Sequence, residues 1–258
     1  MKTINNTALL HWLDHYLSAH QFKDYCPNGL QVEGSETIKH IVTGVTASQA
    51  LLEAAVAHGA DTVLVHHGWF WKNEDARIRG MKRKRLAFAL QHNLNIFAYH
   101  LPLDAHPVVG NNSQLAKTLG FQQDLNPDGN PIGIGPGNLI QTGYLSAPTS
   151  LAKVAQHLAK QLQREPLVVG NPQQIIQRLA WCTGGAQGFI NEAIDAQVDL
   201  YISGEASEPT FHSVQESGTA YIGAGHHATE RYGVKALGEK ITEQFGVPVT
   251  FLDINNPI

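Results

Sequence analysis

Short apolar runs alternate with helical patterns along most of this 258-residue chain, and this alternation restricts its possible folds more than any other feature. Residues 38–45, 62–65 and 95–99 read as buried strands. Residues 48–58 and 81–92 have helical spacing, and Gly59 is placed to cap the first of these helices. Strands that alternate with helices in this way predict mainly parallel sheets covered by helices.

A segment rich in proline and glycine, residues 126–138, interrupts the alternation and is predicted to be a long loop or a domain connection. After it, strand and helix signals resume. The strands are predicted at residues 139–145, 167–169, 176–182, 199–203, 220–223 and 247–252, and the helices near 150–163, 187–196, 207–216 and 228–244. We therefore predict two α/β halves, residues 1–125 and 126–258, with the C-terminal segment free to return to the first half.

The two halves share a weak internal repeat. Val42-Thr-Gly-Val-Thr-Ala-Ser48, a helix and a strand ending at His66 are matched by Ala180-Trp-Cys-Thr-Gly-Gly-Ala186, a helix and a strand ending at Gly204. The following strand of each half leads to a His-x-x-x-acid motif. Because ligands of such folds bind beyond the carboxyl ends of the strands, we predict two related three-layer α/β halves with a metal site in the cleft between them.

Histidines and carboxylates cluster at three of these strand ends: His66-His67, His100-Leu-Pro-Leu-Asp104 and His226-His-Ala-Thr-Glu230. Imidazole nitrogen together with carboxylate oxygen is the ligand mixture of Zn, Mn and Fe(II) sites. Three such clusters offer more ligands than one ion needs. The sequence therefore predicts a two-metal hydrolytic site.

Each cluster also has an alternative explanation. Histidines adjacent on a strand point to opposite faces, so His66 and His67 would serve different ions or would only bond to backbone groups. His226 and Glu230 lie one helical turn apart, which also fits a surface pair that contributes about 0.3–0.5 kcal/mol.

The third cluster leaves more roles open. Pro102 is expected to keep the segment before Asp104 extended. His100 is a candidate metal ligand, supporting group or proton carrier, with His106 and His227 in reserve.

Charge and composition limit the function classes. A formal net charge of −4 argues against general nucleic-acid binding. The basic stretch at residues 77–85 has two interpretations. It could bind anions, together with the helix amides that follow Gly80, or it could form a solvated helix face. Cys26 and Cys182 are expected to be free buried thiols in a reducing compartment. Since no signal segment and no apolar run of about 18 residues is present, we expect a cytoplasmic protein without membrane contact.

Three segments resemble the signatures of the Nif-three-like proteins, which are often named type 2 homologues of GTP cyclohydrolase I. They are Val65-His-His-Gly-Trp-Phe-Trp71, His100-Leu-Pro-Leu-Asp-Ala-His106 and Gly225-His-His-Ala-Thr-Glu-Arg231. Pro27-Asn-Gly-Leu-Gln-Val32 and Thr43-Gly-Val-Thr-Ala-Ser48 are also similar to family segments. The resemblance covers nearly the whole chain and is strongest to short bacterial members without a large inserted domain.

This resemblance implies two divalent ions, Zn, Mn or Fe, in a toroidal homohexamer built as a trimer of dimers. The implied ligands are His66, His67, Asp104, His226 and Glu230. Asp104 is a firmer ligand than His100, because only the carboxylate matches the family's coordination pattern.

The reaction implied by the resemblance begins with hydroxide attack on C8 of a guanine nucleotide and releases formate. His100 would carry the proton. Glu205 is a second catalytic candidate because its place in the second half corresponds roughly to that of His67 in the first. The alternative is a ring-shaped metal-binding scaffold or carrier, engaging nucleic acid through its basic stretch, without turnover.

Overall fold

A computed structural model describes residues 2–258, which form two compact units. The first unit contains the described residues up to Leu103 together with Gly233–Asn255. The second contains Asp104–Tyr232 and Asn256–Ile258. The sequence prediction placed the change of unit at residue 126. The structure places it at Asp104, because Leu115 and Phe121 already belong to a hydrophobic cluster of the second unit.

The secondary structure follows the alternation that the sequence predicts. In chain order the elements are β1 (Ile4–Asn5), α1 (Asn6–Tyr16), β2 (Gly29–Val32), β3 (Thr37–Ile38), β4 (Ile41–Thr46), α2 (Gln49–Ala57), β5 (Thr62–His67), α3 (Gly80–Gln91), β6 (Asn95–Ala98), α4 (Leu101–Ala105), α5 (Asn111–Leu119), β7 (Gln122–Gln123), β8 (Gly133–Ile134), β9 (Ile140–Ser150), α6 (Leu151–Leu162), β10 (Leu167–Val169), β11 (Ile175–Cys182), α7 (Ile190–Asp195), β12 (Leu200–Ser203), α8 (Glu208–Ser217), β13 (Ala220–Gly223), α9 (His226–Phe245) and β14 (Val249–Phe251). The mixed α/β class is confirmed.

The first unit is built on a five-stranded sheet in the order β14-β4-β5-β6-β2. The first three pairings are parallel, and β2 joins the edge antiparallel to β6. The central strands β4, β5 and β6 are buried along almost their whole length, as expected of parallel strands covered on both faces. Ser48 caps α2 by accepting a bond from Leu51 N–H, and Gly59 follows the helix with φ +71°, as its sequence predicts.

The second unit is built on a seven-stranded sheet in the order β10-β13-β12-β11-β9-β7, with β8 also paired to β9. Its centre, β11-β12-β13, is parallel, and antiparallel strands extend it on both sides. The parallel β-α-β units β4-α2-β5 and β11-α7-β12 correspond to the two copies of the sequence repeat. In each unit, the carboxyl ends of the parallel strands therefore lie at the same end of that unit's sheet.

Two local predictions require correction. The residues around Pro102 form the short helix α4 and not an extended loop. Proline is tolerated there because the amides of a first helical turn have no intrahelical partner. Of the two alternatives for the proline- and glycine-rich segment, a long loop or a domain connection, the connection is wrong, because β8 within the segment pairs with β9 of the second unit. Within residues 2–258, no helix is long and apolar enough to cross a membrane.

Candidate metal centre

Three histidines meet at one end of the sheet of the first unit. His66 and His67 are the last residues of β5, and His100 follows the neighbouring parallel strand β6. The ring centroid of His66 lies 4.5 Å from that of His67 and 5.0 Å from that of His100. One ring nitrogen of each histidine lies within 4.8 Å of the others, a spacing compatible with a shared cation.

Hydrogen bonds fix the tautomer of the most buried histidine. His66 is fully buried, and its Nδ1 lies 3.0 Å from the carbonyl oxygen of Tyr99. A carbonyl only accepts, so Nδ1 carries the proton and Nε2 presents the lone pair that a metal ion requires. The Nδ1 atom of His67 lies 3.2 Å from Thr46 Oγ1, so Nε2 is the candidate ligand atom of this ring as well.

A carboxylate that the sequence analysis missed orients His100. Asp24 Oδ1 lies 2.6 Å from His100 Nδ1, while Asp24 Oδ2 accepts bonds from Leu101 N–H and from the Asn28 amide. Burial raises the pKa of Asp24, but the hydrogen bonds from His100 and Asn28 outweigh it and leave this pKa below its usual value. Asp24 is therefore ionised, and it directs the Nε2 atom of His100 away from itself.

Both cysteines are free buried thiols, as expected. Cys26 lies in a cluster with Asp24 and His100 whose potential ligand atoms are within 4.8 Å of one another. Burial and the nearby charge of Asp24 raise the pKa of the Cys26 thiol to about 12. Burial, Asp104 and Glu230 raise the pKa of Cys182 well above its usual range. Neither thiol is a thiolate at neutral pH.

The second unit carries its own cluster where α9 begins. His226 is the first residue of this helix, and its Nε2 lies 3.3 Å from Glu230 Oε2, one turn further on. Its Nδ1 lies 2.6 Å from Oε1 of Glu205, which follows β12. Burial lowers the pKa of His226, but Glu230 and Glu205 together raise it to about 9. The imidazole therefore carries a proton between two carboxylates when no cation replaces it.

Asp104 and Glu230 form a pair of buried carboxylates in this unit. They are 7% and 2% exposed, and an oxygen of each lies within 4.8 Å of the other. Asp104 Oδ1 accepts bonds from the Asn111 amide at 2.8 Å and from the Thr183 hydroxyl at 3.3 Å. Two buried negative charges this close need positive charge nearby, and either the protonated ring of His226, 3.3 Å from Glu230, or a bound metal ion can supply it. Carboxylate oxygens beside imidazole nitrogens fit Zn, Mn or Fe(II).

Two glycines make room for this cluster. Gly184 has φ +68°, and a Cβ atom at this position would clash with Glu230 Oε1 and lie 3.1 Å from His226 Nε2. A Cβ atom on Gly204 would lie 2.7 Å from both the Gly184 carbonyl oxygen and the His226 Cα. Both glycines belong to the sequence repeat, but only their tertiary contacts show that they shape the site.

The structure thus gathers the predicted residues into two groups. His66, His67 and His100 lie together in the first unit. Asp104, His226, Glu230 and Glu205 lie in the second. The reserve histidines have local roles: His106 Nδ1 accepts bonds from Val108 N–H and Val109 N–H, and the buried His227 donates its backbone N–H to Ile258.

Comparison with known sequences identifies relatives of nearly the same length. The sequence model of the Duf34/NIF3 family (NGG1p interacting factor 3) matches residues 4–257. A protein of Neisseria meningitidis serogroup B named GTP cyclohydrolase 1 type 2 homolog is 52% identical over 96% of this chain and 97% of its own length. The Escherichia coli K12 protein of the same name is 48% identical over 98% of this chain and 100% of its own.

Solved structures agree with this relationship. The protein ybgI, described as having unknown function, is 49% identical and superposes with a TM-score of 0.93 over 99% of this chain and 100% of its own. A protein from Thermus thermophilus is 34% identical, with a TM-score of 0.86 over 99% of this chain and 100% of its own.

Proposed function

This chain belongs to the Duf34/NIF3 family, and from that premise we propose that it is a divalent-metal-dependent hydrolase with two ions per chain. The proposed ligands are His66 and His67 of the first unit and Asp104, His226 and Glu230 of the second. The observation that carries the proposal is the buried carboxylate pair of Asp104 and Glu230. Two buried carboxylates of like charge favour a divalent cation over the single positive charge that the protonated His226 supplies in the metal-free protein.

The hydrogen bonds around the ligands support this assignment. Tyr99 holds the proton on Nδ1 of His66, so its Nε2 is ready to coordinate without a change of tautomer. Glu205 accepts a bond from Nδ1 of His226 and orients that ring in the same way. We therefore assign Glu205 a positioning role and keep the acid–base role for His100.

His100 is equipped to move a proton. Asp24 fixes its Nδ1 as the proton-bearing nitrogen, which leaves Nε2 to accept a proton from a reacting group. A pair of divalent ions held by these residues would supply a hydroxide nucleophile at neutral pH and would polarise the atom that is attacked. His100 and Asp24 would then act as the protein's own acid–base pair.

The proposed substrate is a nucleotide or a related phosphorylated heterocycle. The support is the name GTP cyclohydrolase 1 type 2 homolog carried by relatives about half identical to this chain. For GTP, the expected outcome is hydrolytic opening of the guanine ring with release of formate. The proposed assembly is the homohexamer that the family resemblance implies, and light scattering on the metal-loaded protein tests it.

The test begins with metal content. The full chain is stripped with chelator, reloaded separately with Zn, Mn and Fe(II), and analysed by mass spectrometry for ions per chain. We expect two ions in the parent protein and fewer in His67→Ala and Glu230→Ala. The Lys84→Ala variant of an exposed α3 residue is the control and keeps both ions.

Turnover is then measured with GTP and with a panel of phosphoesters. Turnover that depends on metal and disappears in His67→Ala supports the hydrolase. Two bound ions without turnover, and a cellular phenotype unchanged by Glu230→Ala, would contradict it and favour a metal-binding carrier or scaffold.

A further inference from the structure

A cavity of about 340 Å³ lies beside the histidine cluster of the first unit. It is lined by the loop that follows β5 and by one face of the first turns of α3. Four of its lining side chains are cationic, Arg77, Arg79, Lys82 and Arg85, while Glu74 and Asp75 are acidic. The cavity is therefore positive in a chain whose formal net charge is −4.

An aromatic residue connects this cavity to the histidines. Trp71 lines the cavity, and its ring centroid lies 5.9 Å from that of His67 and 5.1 Å from that of His100. A flat molecule in the cavity that packs against Trp71 would therefore lie next to both histidines.

The backbone holds this loop in an unusual conformation. Phe70 has φ +64°, which a bulky residue adopts only where its surroundings impose it, and such residues concentrate at functional sites. The neighbouring Trp69 supplies the constraint. Its backbone N–H donates to Gln31 Oε1 at 2.7 Å, and its indole N–H donates to the Ala47 carbonyl at 2.9 Å.

The cations of the cavity differ in how far they are neutralised. Arg77 is paired with Asp75 at 2.9 Å, and Lys82 lies 3.5 Å from Glu74. Arg85 is half-buried and forms no ion pair within residues 2–258. One helical turn separates it from Met81, which also lines the cavity, whereas Arg83 and Lys84 are exposed and do not line it. The basic stretch of the sequence is thus split between a cavity wall and a solvated face.

We propose that this cavity binds the anionic end of the substrate, an organic phosphate that carries an aromatic ring. The phosphate lies against Arg85 and Lys82, and the ring packs on Trp71 beside His67 and His100. A guanidinium offers paired donors to phosphate oxygens, and an indole offers a flat apolar face to a ring. This inference rests on the proposed hydrolase only in identifying the bound molecule as its substrate, because binding in the cavity needs no metal ion.

The test is isothermal titration calorimetry of the full chain stripped of metal and kept in chelator, with GTP, guanosine and inorganic triphosphate as probes. GTP is expected to bind more tightly than either fragment. Arg85→Ala is expected to weaken GTP and triphosphate by roughly 10- to 100-fold, the loss of one charge-assisted hydrogen-bonding partner, and to leave guanosine unchanged. Trp71→Ala should weaken GTP and guanosine, with recovery in Trp71→Phe.

The matched control is Arg83→Ala, which removes the same charge from the same helix outside the cavity. It should leave the affinity for all three probes unchanged. Equal loss of GTP affinity in Arg83→Ala and Arg85→Ala would show that GTP binds a non-specific basic face, and would overturn the proposal. Equal GTP affinity of the parent protein and Arg85→Ala would also overturn it.

Failure of this proposal and failure of the hydrolase have different signatures. Metal-dependent turnover with an unchanged KM in Arg85→Ala would remove the cavity assignment and leave the hydrolase intact. Phosphate-dependent binding to a chain that retains no ions after reloading would support the cavity assignment and contradict the metal-dependent hydrolase.

Discussion

Each unit of this protein pairs a histidine with a carboxylate at 2.6 Å, but the two pairs have different surroundings. Asp24, beside His100, is only 2% exposed at its side chain and is held by further hydrogen bonds. Glu205, beside His226, is 37% exposed, and His226 also faces the buried Glu230. One carboxylate fixes the orientation of a ring, whereas two carboxylates around a ring accumulate negative charge. The first arrangement suits a proton carrier and the second suits a cation site.

The largest expected effect tests the space around the second pair. Gly184→Ala places a methyl group against Glu230 and forces a non-glycine residue to φ +68°. We expect a loss of about 2–4 kcal/mol in the free energy of unfolding, together with loss of metal. Urea denaturation and metal analysis provide the measurement. Gly188→Ala is the control because a Cβ atom there meets nothing within 4 Å. Equal stability of the two variants would show that position 184 does not require glycine.

The next prediction separates charge from shape at the buried carboxylate pair. Asp104→Asn keeps an oxygen that can accept the bonds from Asn111 and Thr183 but removes one of two neighbouring charges. The metal-free variant should be as stable as the parent or more stable, by up to about 1 kcal/mol, while its metal content falls. Urea denaturation of the stripped protein measures the change in stability, and metal analysis of the reloaded protein measures the change in metal content. Loss of stability without loss of metal would make Asp104 a structural residue.

Asp24→Asn tests the positioning role of the first pair. It should cost about 1–3 kcal/mol of stability through the weakened hydrogen bond to His100, lower kcat, and leave metal content unchanged. Because the pKa of Asp24 is lowered in the folded protein, its contribution is present above the unfolded pKa and is lost as pH falls through the folded pKa. The stability difference between parent and variant should therefore shrink below about pH 4.

Asp75→Asn provides the comparison for that variant, because Asp75 also accepts bonds from arginines but lies at the surface. Its free energy of unfolding should be indistinguishable from that of the parent protein, because exposed ion pairs contribute little to stability. A metal content that falls in Asp24→Asn would place Asp24 among the groups that hold the ions.

The smallest effect is expected from Glu205→Gln in stripped protein. Glu205 and Glu230 raise the pKa of His226 from 6.5 to about 9, so the stability from this charge is fully present below pH 6.5 and is lost as pH rises through 9. Removing one carboxylate lowers the folded pKa, and the loss should begin at lower pH. Because Glu205 is partly exposed, we expect a difference of about 0.5 kcal/mol between pH 6 and pH 9.5. Identical pH profiles for variant and parent would show that Glu205 does not stabilise the charged ring.

The sequence predicts the features that depend on local pattern. The strand ending in His66 and His67, the cap at Gly59 and the one-turn spacing of His226 and Glu230 all follow from a few neighbouring residues. Short helices at proline are harder to anticipate. Leu101–Ala105 is helical because Pro102 lies in the first turn, where its missing N–H costs little.

Partners from distant parts of the chain are beyond the reach of such patterns. Asp24 lies 76 residues from His100, and no spacing rule connects them. The motif that begins at His100 and ends at Asp104 reads as one unit, yet the change between compact units falls within it. Its two ends therefore have different neighbours: His100 bonds to Asp24, and Asp104 accepts from Asn111.

The sequence by itself determined the α/β class, the parallel β-α-β units and the histidines and carboxylates that follow their strands. Periodicity and residue chemistry are local properties, so they can be read along the chain. Only the tertiary structure decided that Asp104 and Glu230 are buried together, that Gly184 gives them room, and that Arg85 faces a cavity while Arg83 faces solvent. Burial, charge accumulation and cavity shape depend on which distant residues pack together, and packing is settled by the fold as a whole.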